Sequence, residues 1–289
     1  MKADPVMSKE DKSTAWTHES NERFTEYYAH ASQSPVTLQR IRSIRDSTLR
    51  VANAHGLTKP VLDVADIGCG AGTQSLLWAE LGHKVHGLDV NQPLLDVARQ
   101  RAGESRCSVD FQLGSATQLP WADQSMDVCL LIELLEHVSE WQTCLHESAR
   151  VLRRGGILVL TTSNKLCPFQ QEFNLPLYSW YPNFLKRYFE RLAVTTRPQL
   201  ANYAKYPAVN WFSFYGLRAT LSPYGFMPLD RFDVVDLSNK GWVSQWMIRA
   251  IRSFSVLRWL AHVATEGTLL IGVKKSVIRG QKRAAIQIA

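Results

Sequence analysis

Between Leu57 and Thr162 the chain alternates two kinds of apolar pattern. Short, largely β-branched runs at Val61–Ile67, Lys84–Val90, Ser108–Leu113, Met126–Ile132 and Gly156–Thr162 are separated by stretches of helical spacing at Thr73–Leu81, Pro93–Ala102 and Trp141–Val151. Strict alternation of this kind predicts a parallel sheet with right-handed crossovers and helices on both faces. Ahead of it, Leu38, Ile41, Ile44, Thr48 and Ala52 recur at helical spacing from Val36 to His55, with Gly56 as a stop. Beyond it, Asp230–Leu237 and Gly267–Lys275 read as two closing strands, with a helical stretch at Gly241–Ala264 between them. The expectation is therefore an α/β fold, Rossmann-like, with a mostly parallel seven-stranded sheet.

The rest of the chain falls into segments around that core. Residues 1–56 read as a polar tail followed by helices, with Arg23–Tyr28 opening one of them and Tyr27 and Tyr28 packing it onto the sheet. Residues 57–162 form the core and 163–228 an aromatic insertion. Residues 229–275 hold the closing strands with their helix, and 276–289 a basic tail.

The first strand ends in Gly68-Cys69-Gly70-Ala71-Gly72. Glycines there admit positive φ and let a ligand approach the backbone. The second strand ends in Asp89, about 20 residues past the first glycine, where a ribose hydroxyl is held in nucleotide-type sites. A dinucleotide fingerprint needs its third glycine one residue later, at Thr73, so that a pyrophosphate can rest on the helix. An acid at Asp66, just before the glycines, suits an ammonium group better than a phosphate. A nucleoside with a charged, non-phosphate tail fits this spacing.

Three further stretches point the same way. They are Gly114-Ser115-Ala116-Thr117-Gln118-Leu119-Pro120-Trp121, then Asp127–Leu130 with Glu133-Leu134-Leu135-Glu136-His137-Val138, and Val151–Val159. With the D-x-G-x-G-x-G loop from Asp66 to Gly72, the chain from Leu57 to Thr162 resembles a class I S-adenosylmethionine-dependent methyltransferase. It is most similar to the small-molecule type that includes the ubiquinone-pathway O-methyltransferases. The resemblance implies S-adenosylmethionine as cofactor, held by Asp66, Gly68, Cys69, Gly70, Gly72, Asp89, Val90, Ser115, Ala116, Ile132 and Glu133. Ser115 stands where the family has an aspartate near the adenine amino group, and a serine still accepts a hydrogen bond there. The amino-directed nucleic-acid enzymes of the family carry an N-P-P-Y or D-P-P-Y loop after the fourth strand; Ile132-Glu133-Leu134-Leu135 holds that place here.

His137 is the candidate base, since a hydroxyl acceptor must lose a proton and imidazole titrates in the right range. On a helix, Glu133, Glu136 and His137 would share one face, which invites a divalent metal as an alternative that is not favoured. A purely structural His137 is the other alternative.

Composition then bounds the setting. With 45% hydrophobic and 20% charged residues the chain is ordinary globular material. No apolar stretch is long enough to span a bilayer, and the first residues lack the apolar core of a signal peptide. Five cysteines without a C-x-x-C pair argue for reduced thiols rather than a disulfide or zinc framework. These features place the chain in the cytoplasm.

About half of all aromatic residues lie in the insertion, including Phe169, Phe173, Tyr178, Trp180, Tyr181, Trp211, Phe212 and Tyr215. Long insertions are functional or disordered, and aromatic content argues against disorder. A substrate cap for an apolar or ring-bearing small molecule is the first reading, and a second core that buttresses the sheet is the other.

Net charge is +7, and the segment from Gly241 onward carries eight Lys or Arg against Glu266 alone. A basic, Trp-rich helix reads as a contact for an anionic membrane surface, at the inner face, or as a cap helix with a solvated tail. The function expected is methylation of a small molecule, at oxygen, of quinone, lipid-linked or glycan type. RNA methylation through the basic region, and a non-catalytic binding module, are the alternatives, with nucleic acid the less favoured partner.

Overall fold

The structure of the protein, a computed structural model, describes residues 32–170, 172–201, 208–238 and 240–275. The polar tail, Tyr27, Tyr28 and the basic residues 276–289 lie outside them. Helix α1 (Pro35–Ala54) starts where Ser34 accepts a hydrogen bond from the Thr37 N–H and Pro35 supplies a fixed φ, and it stops before Gly56, at φ 84°. Then follow β1 (Asp63–Ile67), α2 (Thr73–Ala79), β2 (Lys84–Asp89), α3 (Gln92–Glu104) and β3 (Val109–Leu113). The second half of the core is β4 (Met126–Ile132), α4 (Trp141–Val151) and β5 (Leu152–Ser163).

With β6 (Phe226–Asp230) and β7 (Gly267–Lys274), the sheet has seven strands in the order β3-β2-β1-β4-β5-β7-β6. All neighbours among the first five are parallel, whereas β7 runs antiparallel to both β5 and β6. The expected Rossmann-like architecture is present.

The uninterrupted apolar runs serve both faces of the sheet at once. Val128 and Leu130 of β4, with Val64, Ile157 and Val159, join the α1 residues Ile44, Val51 and Ala52 in one core. Their neighbours Cys129 and Leu131, with Ala65, Ile67, Leu158 and Leu160, join Cys144, Leu145 and Ala149 of α4 in the other. Alternation of side chains across a strand, not a change in hydrophobicity, assigns each residue to its face.

Three boundaries differ from the sequence reading. Asp230–Leu237 is not a strand: β6 ends at Asp230, whose carboxylate accepts the N–H groups of Phe232 and Asp233 while Asp233 returns a bond to the Asp230 N–H. This capping box starts a short helix, α7 (Arg231–Val234). The strand instead begins at Phe226, inside the segment assigned to the insertion; it tolerates Pro228 because β6 is an edge strand. The helical stretch from Gly241 is two helices, α8 (Trp242–Ser253) and α9 (Ser255–Val263), broken at Phe254, whose φ and ψ are −116° and 116°.

The insertion leaves the end of β5 and contributes α5 (Asn183–Thr195) and α6 (Phe214–Leu221). Phe173, Tyr178, Ala193 and Ala201 form a core of their own, with Tyr181, Phe189 and Trp211 packed around it. Phe173 stacks on Tyr178 at 4.1 Å, and the Lys186 ammonium lies 4.6 Å from the Trp211 ring.

Candidate functional site

Parallel strands place their carboxyl ends on one edge, and the ends of β1, β2, β3 and β4 meet there. The β1 chain turns through Gly68, Gly70 and Gly72, at φ 75°, 51° and 77°. Close packing bears on two of these glycines as well, rigidly at Gly72 and at Gly68 only through the movable tip of Leu134. A Cβ on Gly72 would stand 2.8 Å from the Ala98 Cβ, and one on Gly68 would stand 2.7 Å from Leu134 Cδ1. Nothing lies within 4 Å of the corresponding point on Gly70, so the loop is open to a ligand at that residue.

Asp89, at the end of β2, holds this loop. Its two carboxylate oxygens accept the Gly70 and Asn91 N–H groups, each at 2.8 Å. Burial raises the Asp89 pKa against the pull of those backbone hydrogen bonds. Each oxygen retains acceptor capacity for a hydroxyl.

A cleft of about 240 Å³ opens beside these residues. It is lined by Gly68, Asp89, Val90, Ser115, Ala116 and His137 from the expected set. Thr117, Leu134, Val138, Ser139 and Glu140 line it too; they lie within or beside the quoted motifs, but nothing in their spacing singles them out from their neighbours. The Ser115 hydroxyl sits 2.7 Å from Thr117 Oγ1 and accepts the Thr117 N–H. Serine thus makes the local turn bond that an aspartate would make.

Other expected residues lie elsewhere. Asp66 does not reach the cleft: it is 1% exposed and accepts a 2.6 Å bond from the Ser75 hydroxyl on α2. Burial, with Asp89 adding to it, raises its pKa from 3.8 to about 7. Cys69 is buried, and burial pushes its thiol pKa up, so it is a packing residue. Gly70, Gly72, Ile132 and Glu133 shape the edge without being among the cleft-lining residues.

The segment after β4 is a turn rather than a helix, because Glu133 takes a left-handed φ of 49° and its N–H bonds the Thr161 carbonyl at 3.0 Å. Glu133, Glu136 and His137 therefore do not share a helical face. The Glu133 carboxylate pairs with Arg40 of α1 at 3.1 Å, while Glu136 is fully buried with neither oxygen hydrogen-bonded among the described residues. Burial, reinforced by Glu133, holds the Glu136 carboxyl protonated well above the usual range. No group of three His, Cys, Asp or Glu side chains among the described residues is arranged to hold a metal ion.

His137 is half-buried, and that burial lowers its pKa despite the opposing charges of Glu172 and Glu133. A neutral imidazole facing a cleft is a proton acceptor at neutral pH. Among the described residues, no aromatic of the insertion lines this cleft, and Phe173, Tyr178, Tyr181, Phe189 and Trp211 pack on one another, as the buttress reading expects of them.

Residues 65–160 match the model of a family described as a methyltransferase domain. A ubiquinone biosynthesis O-methyltransferase from Agrobacterium fabrum is 36% identical over 135 residues, 46% of this chain and 53% of that protein. A malonyl-[acyl-carrier protein] O-methyltransferase from Serratia marcescens is 33% identical over 121 residues, 42% of this chain and 44% of that protein. The chain spans about half the length of the curated relatives it matches. Among solved structures, the YcgJ protein from Bacillus subtilis superposes with a TM-score of 0.51 at 20% identity, over 80% of this chain and 99% of that one. An S-adenosylmethionine-dependent methyltransferase from Mesorhizobium loti gives 0.51 at 14% identity, over 78% of this chain and 97% of that one. These likenesses are of fold.

Proposed function

We propose, from the premise that this chain carries a class I methyltransferase domain, that it moves a methyl group from S-adenosylmethionine to an oxygen of a small molecule. The acceptor class is a quinone-type phenol or a lipid-linked or glycan-type hydroxyl. What supports the reading most is that His137 lines the same cleft as Gly68, Asp89 and Ser115, where burial lowers its pKa. The two relatives named above support oxygen as the accepting atom, since both are O-methyltransferases, while the acceptors in their names differ.

The residues present fit the cofactor. Gly70 leaves its backbone uncovered, Asp89 offers two carboxylate oxygens at the strand end, and Ser115 with Ala116 flanks the space beyond. When bound, S-adenosylmethionine supplies an electrophilic methyl group on a sulfonium. Asp89 would hold the ribose hydroxyls, and the Gly68–Gly72 backbone would lie against the methionine end. His137 would take the acceptor's hydroxyl proton as the oxygen attacks. Leu134 and Val138 would keep water from the reacting atoms; an in-line displacement needs little beyond such alignment and dryness.

The test is calorimetric titration of S-adenosylmethionine and S-adenosylhomocysteine into the full chain and into Asp89→Ala. The expected result is binding of both to wild type and at least about a tenfold loss, near 1.4 kcal/mol, in the variant. A folded wild type that binds neither would sink the enzyme reading. Methyl transfer to an amine probe but not to a catechol probe would sink oxygen specificity alone.

A further inference from the structure

Of the three helices between β6 and β7, the two longer ones, α8 and α9, are amphipathic with the usual orientation reversed. A helix on a water-soluble protein turns its apolar stripe to the core. Here the charged side faces the body of the protein. Arg258 bonds Asp230 at 2.7 Å and also pairs with Asp233, and His262, which is 3% exposed, meets the same Asp230 at 2.8 Å. Arg252 donates to the carbonyls of Phe232, Asp233 and Val235. Only Ile248 and His262 are buried in the pair.

The apolar side faces outward. Trp242 is 81% exposed, Trp246 69%, Phe254 62% and Val256 68%, and Val243, Met247, Leu257, Trp259 and Leu260 are exposed with them. Spacing groups them: Trp242 with Trp246 and Val243 with Met247 are four apart on α8, and Val256, Trp259 and Leu260 share a face of α9. Single exposed apolar residues need no explanation, whereas nine within 19 positions mark a binding surface.

Charge narrows the partner. From Lys240 to Thr265 there is no acidic residue, and Lys240 and Arg249 are exposed at the rim. Beside Val256 and Trp259 runs a groove whose wall includes Tyr215 and Arg218 of α6. A second copy of the chain, docking through the same face about a twofold axis, would bring this positive surface against itself. An anionic bilayer surface offers an apolar boundary layer and negative charge together, with tryptophans at the headgroup level.

We propose that α8 and α9 form an interfacial anchor that seats the protein on an anionic lipid bilayer. The anchor lies at the functional edge of the sheet, since β6 runs parallel to β5 and the hairpin leaves from the carboxyl end of β6 and returns into β7 opposite Ser163. Asp89 ends β2 and Ser115 follows β3 on that same edge. Seating would therefore bring lipid to the edge of the sheet on which the cleft opens. Joined to the methyl-transfer reading above, on which this clause alone rests, it sets the acceptor as a molecule that partitions into bilayers.

The experiment is flotation of the full chain with vesicles of phosphatidylcholine alone and of phosphatidylcholine mixed with phosphatidylglycerol. Wild type is compared with the double variant Trp242→Ser, Trp246→Ser, and light scattering is run on both. The expected result is flotation with the mixed vesicles, weakened by salt and reduced at least about tenfold in the double variant. S-adenosylhomocysteine binding and the melting temperature should be unchanged, because both tryptophans are exposed. No flotation with either vesicle, or undiminished flotation of the double variant, would overturn the proposal. A dimer that the double variant loses, without vesicle binding, would overturn it in favour of a second copy. Failure of cofactor binding in wild type bears on the enzymatic reading and leaves the anchor standing.

Discussion

Replacing Asp66 with asparagine should make the protein more stable, and by an amount that depends on pH. The carboxyl is 1% exposed, has one hydroxyl partner, Ser75, and sits beside Asp89, so burial raises its pKa from 3.8 to about 7. In the unfolded chain the group keeps its ordinary pKa. A group raised on folding contributes stability that is fully present below its unfolded pKa and is lost as pH rises through its folded pKa. The window therefore runs from about pH 4 to about pH 7, and a gap of about three in pKa corresponds to about 4 kcal/mol across it.

Asparagine matches the shape and keeps an oxygen to accept from Ser75, yet carries no charge. Urea unfolding of wild type and Asp66→Asn at several pH values reads the difference through the midpoints, provided the slopes agree. The variant should gain little near pH 4 and about 2–4 kcal/mol by about pH 8. Comparing two proteins cancels the other titrating groups. A difference independent of pH would refute the argument that a buried, poorly compensated carboxyl underlies the glycine loop.

Other substitutions test separate parts of the structure. Gly72→Ala should destabilise more than Gly70→Ala in thermal melts, because both take positive φ but only the former drives a Cβ to 2.8 Å from Ala98. Equal losses would mean that φ alone decides. Asp230→Asn should cost about 3–5 kcal/mol in denaturant unfolding, since it leaves Arg258 short of its buried partner and weakens the His262 contact; a change under about 1 kcal/mol would show that the cluster is not what holds the hairpin. His137→Gln should lower the turnover of a hydroxyl acceptor by about 10²–10⁴ while S-adenosylhomocysteine affinity is kept. As burial lowers the His137 pKa, wild-type turnover should be level at neutral pH and fall only on the acid side of the ordinary histidine range, and that limb should vanish in the variant; persistence of the limb would remove His137 as the base.

The parts of the fold that were legible are those fixed by local spacing. The alternation through Met126–Ile132 and its neighbours gave the parallel sheet, and the three glycines with Asp89 gave the loop and the acid that holds it. What stayed hidden depends on which way a side chain turns. Its place just before the glycines points Asp66 toward the ligand, whereas the parity of β1 turns its carboxylate into the packed face, where it accepts from Ser75. Phe232, Val234 and Val235 look like a strand; the capping box of Asp230 and Asp233 outweighs their propensity. The period of α8 and α9 showed two faces, whereas only Asp230 and Asp233, brought from another element, determine that the basic one is inside. Similarly, the insertion's aromatic content could not distinguish a wall facing a ligand from rings facing each other.

The strand order carries a consequence for how the chain reaches its native state. β7 is the last of the seven strands to be synthesised, yet it lies between β5 and β6 and is the strand that ties β6 to the sheet. About a hundred residues separate Ser163 from Gly267, so on a growing chain β5 presents an open edge until that whole stretch has emerged. Long-range pairing of this kind is slow to form and leaves an edge exposed to other chains meanwhile. A nascent chain paused before Gly267 would have β1 to β5 assembled and the stretch from β6 through α9 untethered, and it is at this stage of biosynthesis that the protein would be most prone to aggregate.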